Sequence, residues 1–201
     1  MLQRCAWVPP NDQLYVEYHD IEWGVPVHDD NLILEFLILE GFQAGLSWRI
    51  ILNKRENFRR AFDQFDPQKI ASYDDRKIGE LLSDAGIIRN RSKIQASVQN
   101  ARAFLIVKDE FGSFDNYIWR FVGGKPRLNT WASIADIPAR SDESDALSKD
   151  LIRRGFKFVG STICYAHMQA TGMINDHTLD CFRYNEINNT IEDRETNVGS
   201  V

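Results

Sequence analysis

Apolar residues recur at spacings of three and four along most of this chain, and no segment alternates cleanly for six residues, so the pattern predicts helices rather than sheet. NLILEFLILEG (31–41) is apolar nearly all round, which predicts a deeply buried helix capped by Asp29 or Asp30. WRIILNKRENFRRAF (48–62) follows, with Ser47 as a cap. Pro67 suits the first turn of PQKIASY (67–73). DDRKIGELLSDAG (74–86) ends on a glycine. RSKIQASVQNARAFLIVKDEFG (91–112) sets Ile94, Val98, Ala101 and Leu105 on one stripe, and SFDNYIWRFVGG (113–124) closes on glycines. SDESDALSKDLIRRG (141–155) has a cap, an acidic first turn, a basic last turn and a terminal glycine; STICYAHMQATG (161–172) comes five residues later. Only 123–140, with two prolines, is a long linker. The expected fold class is all-α.

At 201 residues, 43% hydrophobic and 26% charged, the composition fits one compact soluble domain. No apolar run approaches the roughly 18 residues of a membrane span. The start, MLQRCAWVPPND, lacks the apolar core of a signal peptide, and three cysteines make a disulfide framework unattractive, so the cytoplasm is the expected compartment. The net charge of −5 argues mildly against nucleic acid. Its distribution changes that. EINNTIEDRETNVGSV (186–201) holds four acids and one arginine, so most of the excess lies in an expected disordered tail, 185–201, beyond a single domain over 1–184. Within that domain two short basic clusters stand out, RNRSK (89–93) and RRGFK (153–157); in isolation each reads as a solvated helix end.

Three places carry candidate chemistry. In RRGFKFVGSTICYAHMQATG (153–172) two helices meet across a turn with Gly155 and Gly160. A helix opened by glycine leaves unobstructed N–H groups that bind phosphate oxygens; Lys157, Arg153 and Arg154 would add charge there. This is the pattern of a helix-hairpin-helix, over about 144–171, or of an ordinary αα-hairpin. In LEGFQAGLSW (39–48), Glu40 ends an apolar helix and Trp48 follows the turn, while Trp7, Tyr15, Tyr18 and Trp23 lie close together near the start. Aromatic faces beside one carboxylate make a pocket for a flat cationic or donor-bearing ring; core aromatics are the plain alternative. Finally, His177 and Cys181 in NDHTLDC are four apart and would share a helix face, half of a tetrahedral metal site. The other half must come from Cys5, Cys164, His19, His28 or His167. Cys5 and His19 would complete a closed Cys2His2 site clipping two frayable termini together. Two buried thiols with two surface histidines, or a Cys5–Cys181 disulfide, are the competing readings.

Taken together, RCAWVPPNDQLYVEYHDIEWGVP, LEGFQAGLSWRIILNKRENFRRAF, DAGIIRNRSKIQA and DALSKDLIRRGFKFVGSTICYAHMQATGMINDH resemble the 3-methyladenine-DNA glycosylase I family over about residues 4 to 181. The resemblance implies an all-α helix-hairpin-helix glycosylase that removes 3-methyladenine from alkylated double-stranded DNA, acting as a monomer. It implies one structural zinc on Cys5, His19, His177 and Cys181. It implies a base pocket from Glu40, Trp48, Tyr15 and Tyr18 with Trp7 and Trp23 nearby, Glu40 serving as the functional carboxylate. The DNA backbone would be gripped at Gly155, Lys157, Gly160 and Ser161. Other helix-hairpin-helix glycosylases place a catalytic Asp about 20 residues beyond the hairpin. Here Asp176 and Asp180 flank proposed zinc ligands, so neither is expected to do that work. No lysine sits where a Schiff-base nucleophile belongs, so no lyase activity is expected.

Overall fold

The computed structural model describes residues 2–189. The elements are helical: α1 (Gln13–Glu17), a π-helical turn (Tyr18–Glu22), α2 (Asp30–Gln43), α3 (Trp48–Ala61), α4 (Pro67–Ala71), α5 (Asp75–Ser83), α6 (Arg91–Phe111), α7 (Phe114–Trp119), α8 (Asp142–Arg153) and α9 (Ser161–Ala170). Residues 182–189 form a further helix, α10. It begins inside the expected domain and enters the expected tail; the rest of that tail, 190–201, lies outside the described residues.

Short polar side chains start these helices by accepting from first-turn N–H groups that have no partner within the helix. Asp12, Asp29, Asp66, Asp74, Asn90, Ser113 and Ser141 each do so. Asp30 instead accepts from the Asp115 backbone at 2.9 Å, tying α2 to α7. Ser47 makes no capping bond.

α2 is the central rod. Every residue from Ile33 to Phe42 is buried, because α3, α6, α7 and α9 pack around it. That is why its sequence shows no polar face. Its buried Glu35 meets Arg55 and Arg59 of α3 rather than solvent. On α6, Ile94, Val98 and Ala101 face the core as expected, but Phe104 and Val107 take the deep positions further along and Leu105 is only half-buried. The stripe drifts round the helix because 3.6 residues per turn does not repeat on a spacing of seven.

Among the described residues, the small exception to helicity is a parallel pairing of β1 (Arg127–Leu128) with β2 (Ile174–Asn175). Asp176 explains it. Its carboxylate is fully buried and accepts from Asn129 Nδ2, Trp131 Nε1, Tyr165 Oη and Gln169 Nε2 at 2.6–2.7 Å. The long linker is thereby held against α9. The N-terminal segment and the segment around Cys181 meet in a second apolar cluster containing Cys5, Val8, Tyr18, Trp23, Phe36, Leu52, Ala170 and Cys181. The Phe182 N–H donates to Gln3 O at 2.9 Å.

Candidate base pocket, metal cluster and hairpin

A cavity of about 420 Å³ lies between the N-terminal segment, the end of α2, the start of α3 and α9. Trp7, Tyr15, Tyr18, Trp23, Glu40 and Trp48 all line it. The π turn is what aims two of these. The Trp23 N–H bonds Tyr18 O, five residues back, at 2.9 Å. The widened turn sends Tyr18 into the cavity and His19, the next residue, away from it. Trp7 and Trp23 meet edge to face at 5.0 Å, and Tyr18 and Trp48 lie 5.5 Å apart.

Two polar atoms here are buried with no partner, Glu40 Oε1 and Trp48 Nε1. Such atoms cost stability unless something else satisfies them, and both, one an acceptor and one a donor, belong to residues that line the cavity. Burial pushes the Glu40 carboxyl up from its ordinary range, and His167, facing it with charge and a hydrogen bond, pulls it back. Burial and then the charge of Glu40 push the Tyr18 phenol well up. Lys93 donates to Phe42 O and Ala44 O at 2.8 and 2.6 Å, closing off α2 and anchoring the turn that leads to Trp48. In the sequence it read as part of a solvated basic cluster. Arg89 and Arg91 are exposed, but Lys93 is buried and is driven down by that burial.

Beside the pocket, Cys5, His19, His177 and Cys181 converge with their ligand atoms all within 4.8 Å of one another, every one buried. Cys181 Sγ lies 3.4 Å from both His19 Nε2 and His177 Nδ1, and Cys5 Sγ lies 3.5 Å from His177 Nδ1. A tetrahedron with metal–sulfur bonds of about 2.3 Å and metal–nitrogen bonds of about 2.05 Å has S···N edges of about 3.6 Å, so the four donors are spaced to hold a metal ion. The outer nitrogens are oriented as ligand histidines usually are. His19 Nδ1 meets Asp20 at 2.8 Å, itself clamped by Arg4, and His177 Nε2 meets Trp23 O at 3.1 Å. The Cys181 thiol is held well below its usual range by the Cys5 thiol and then by His177 and His19. The helical half-site expected from the i, i+4 spacing is not how this is built. Residues 176–181 are not helical; a turn over 178–181 is closed by Cys181 N–H to Thr178 O at 2.8 Å. The remaining candidates are engaged elsewhere. Cys164, pushed up to about 12 by burial and then by the charge of Glu40, faces Val159 O; His28 pairs with Asp115; His167 faces Glu40. All three cysteines are free thiols.

The connection between α8 and α9 turns on Gly155 at φ +95° and Phe158 at φ +55°. A phenylalanine in that region is strained, and this one is also partly exposed. The hairpin residues divide by role. Gly155 N–H bonds Ile152 O, and Lys157 N–H bonds Asn100 Oδ1 at 2.7 Å, so these two amides are spent inside the fold. Gly160 caps α9 with no side-chain hydrogen bond, so the first-turn N–H groups from Ser161 on have no cap; Gly160 is exposed and Ser161 half-exposed. The Lys157 side chain is exposed. Arg154 is not available as a phosphate contact. It is fixed by Asp150 and Glu110, and Arg153 also pairs with Asp150.

Gln43, Thr162, Tyr165 and Gln169 also line the cavity, as do Ile134, Ile137 and Pro138 from the long linker, and His167 stands just behind Glu40. None was legible in the sequence. The only signal was the helical spacing of Thr162, Tyr165 and Gln169, which marks one face of α9 but not what it faces.

A sequence profile of the methyladenine glycosylase family matches residues 7–184. The chain is 49% identical over 183 residues to DNA-3-methyladenine glycosylase 1 of Escherichia coli, covering 91% of this chain and 97% of that one. It superimposes on a crystal structure of 3-methyladenine DNA glycosylase I with a TM-score of 0.87 at 52% identity, over 90% of this chain and 98% of the other. The Staphylococcus aureus enzyme, solved to explain its recognition of 3-methyladenine, superimposes with the same TM-score of 0.87 at 35% identity, over 90% and 96%. With this pocket on this helical frame, the chain belongs to the methyladenine glycosylase family.

Proposed function

We propose that this protein is a monofunctional DNA glycosylase that hydrolyses the N-glycosidic bond of 3-methyladenine in alkylated double-stranded DNA and leaves an abasic site. The observation that carries the reading is the buried, half-partnered carboxylate of Glu40 in a cavity walled by Tyr15, Tyr18, Trp7, Trp23 and Trp48.

While attached to deoxyribose, 3-methyladenine bears a formal positive charge. The bond to the sugar is already weak and the base departs neutral, so no strong general acid is needed. What the enzyme supplies is extraction, which costs a few kcal/mol and is cheaper for a damaged base, and a place to hold the base. Trp48 stacks on the cationic ring, worth about 2 kcal/mol in a desolvated setting. Ionised Glu40 balances the charge and accepts from the exocyclic amine through Oε1. A carbonyl at that position would meet the carboxylate lone pair instead. The cavity lining contains no lysine, in keeping with hydrolysis by water and no lyase step.

The hairpin grips the DNA backbone as a helix-hairpin-helix, through the N–H groups of Gly160 and Ser161 and the Lys157 ammonium, with Gly155 shaping the turn. Zinc is the ion for the Cys5, His19, His177 and Cys181 cluster. Two thiolates and two imidazoles with no open position form a closed structural site, which braces Trp7 and Trp23 from behind. The domain comprises 1–184, and the protein acts as a monomer in the cytoplasm. Among the described residues no helix is long and apolar enough to cross a membrane.

The test is release of free 3-methyladenine from methylated duplex DNA. Wild type should release it without forming borohydride-trapped adducts. Glu40→Gln and Trp48→Ala should each lower release about 10- to 100-fold, from the loss of a charged hydrogen bond and of base stacking respectively. No release by folded, metal-replete wild type that still binds DNA would reduce the protein to a backbone-binding module.

A further inference from the structure

His167 is wholly buried on α9 and is not part of the cavity lining. Its Nδ1 lies 2.9 Å from Glu40 Oε2. Each partner of this bond keeps one buried atom with nothing bound: Glu40 Oε1, and His167 Nε2 on the far side of the ring. The arrangement is directional. A ring carrying its proton on Nδ1 donates to Oε2 and occupies that oxygen, which leaves Oε1 as the single open acceptor on a residue that lines the pocket.

Taking the pocket as the seat of the base, as proposed above, we propose that His167 is the positioning residue that holds the Glu40 carboxylate with Oε2 bound and Oε1 bare, and thereby sets the preference for a base with a 6-amino group.

The physical reason lies in the isolation of the pair. Among the described residues, the ionisable groups that interact with Glu40 are Tyr18, and Cys164 and His167 on α9. Cations on the other helices packed against α2 are turned elsewhere. Arg55 of α3 is held by Glu22 and Glu35, and Lys93 of α6 by the carbonyls of Phe42 and Ala44. On α7, Asp115 faces Asp30 and His28 at the opposite end of α2, and Asp63, after α3, is engaged with Tyr73 and Lys77. Among the described residues, His167 is therefore the group that offsets the burial of the Glu40 charge. Without it, burial acts alone and Glu40 takes up a proton at a higher pH. A protonated carboxyl carries an O–H donor, which weakens its pairing with the amine of adenine and lets it donate to the carbonyl of guanine.

The experiment titrates binding of free 3-methyladenine against pH, by quenching of tryptophan fluorescence, in wild type, His167→Phe and His167→Gln. The ligand's own titration is common to all three and cancels in the comparison. In His167→Phe the pH at which binding is half lost on the acid side should rise by about one unit. Binding on the alkaline plateau should be retained, and release of 3-methylguanine relative to 3-methyladenine from methylated DNA should rise about threefold or more. His167→Gln, whose amide can donate to the same oxygen, should stay near wild type in both. A residue that merely fills space would move stability and leave the pH midpoint and the base ratio alone; that result overturns the proposal. Nitrogen-15 spectra of wild-type imidazoles give a reading without any variant or ligand. A signal for His167 protonated on Nδ1 is expected, and a ring protonated on Nε2 alone refutes the geometry. If wild type fails to bind 3-methyladenine, the glycosylase reading falls, while the tautomer still decides the Glu40–His167 bond.

Discussion

Asp176 shows how a single residue's role depends on what surrounds it. An aspartate beyond a hairpin invites a catalytic reading, but its two oxygens already accept four hydrogen bonds, from Asn129, Trp131, Tyr165 and Gln169. Nothing remains for a sugar or a water. Two of those donors, Tyr165 and Gln169, line the cavity, so Asp176 bears on the cavity only through them. Asp176→Asn turns one acceptor into a donor facing other donors. It should destabilise the fold by about 2–4 kcal/mol in urea titrations and weaken 3-methyladenine binding in parallel. Unchanged stability with abolished turnover would instead make Asp176 a participant in the chemistry.

Among the elements, the long helices were legible because their apolar spacing and Asp, Asn and Ser caps are local signals. Helices α2, α3 and α6 lie within two residues of the sequence reading at each end. Helix α1 and the π turn were not legible, since a turn closed between Tyr18 and Trp23 has no periodicity of its own. The same holds for the loop after α9. Gly172 has φ +67°, and a Cβ there would sit 2.4 Å from backbone atoms of Val25 and Pro26. That close approach lets Val27 N–H reach Thr171 O at 3.0 Å, docking the N-terminal segment on α9. Gly172→Ala therefore meets rigid backbone as well as a left-handed φ. A loss above about 3 kcal/mol is expected by denaturant unfolding, and near-wild-type stability would show that the N-terminal segment moves freely.

At the scale of the whole molecule, the N-terminal segment meets the segment around 177–181 beside the pocket. Cys5 and His19 come from the first, His177 and Cys181 from the second, and Trp23 packs against His177 at 4.6 Å on the way to the cavity. A metal held there contributes its binding free energy to folding. Denatured protein should release about one zinc per chain. Chelation, or Cys181→Ser, should lower the melting temperature by about 10 °C or more, with base affinity falling only as Trp7 and Trp23 loosen. Metal-free protein with full thermal stability would refute the structural role.

By itself the sequence determined the helical class, the caps and most helix limits, the glycine-marked hairpin and the residue types of pocket and cluster. These depend on neighbours within about one helical turn, or on long motifs shared with a family. Only the tertiary structure decided that His167 stands behind Glu40, 127 residues apart. It also decided that Asp176 is saturated, that Arg154 is spent on Asp150 and Glu110, and that the proline-bearing linker closes one wall of the cavity. The reason is physical. A side chain's hydrogen-bond partner and its burial are properties of packing between distant segments, and neither leaves a local pattern in the chain.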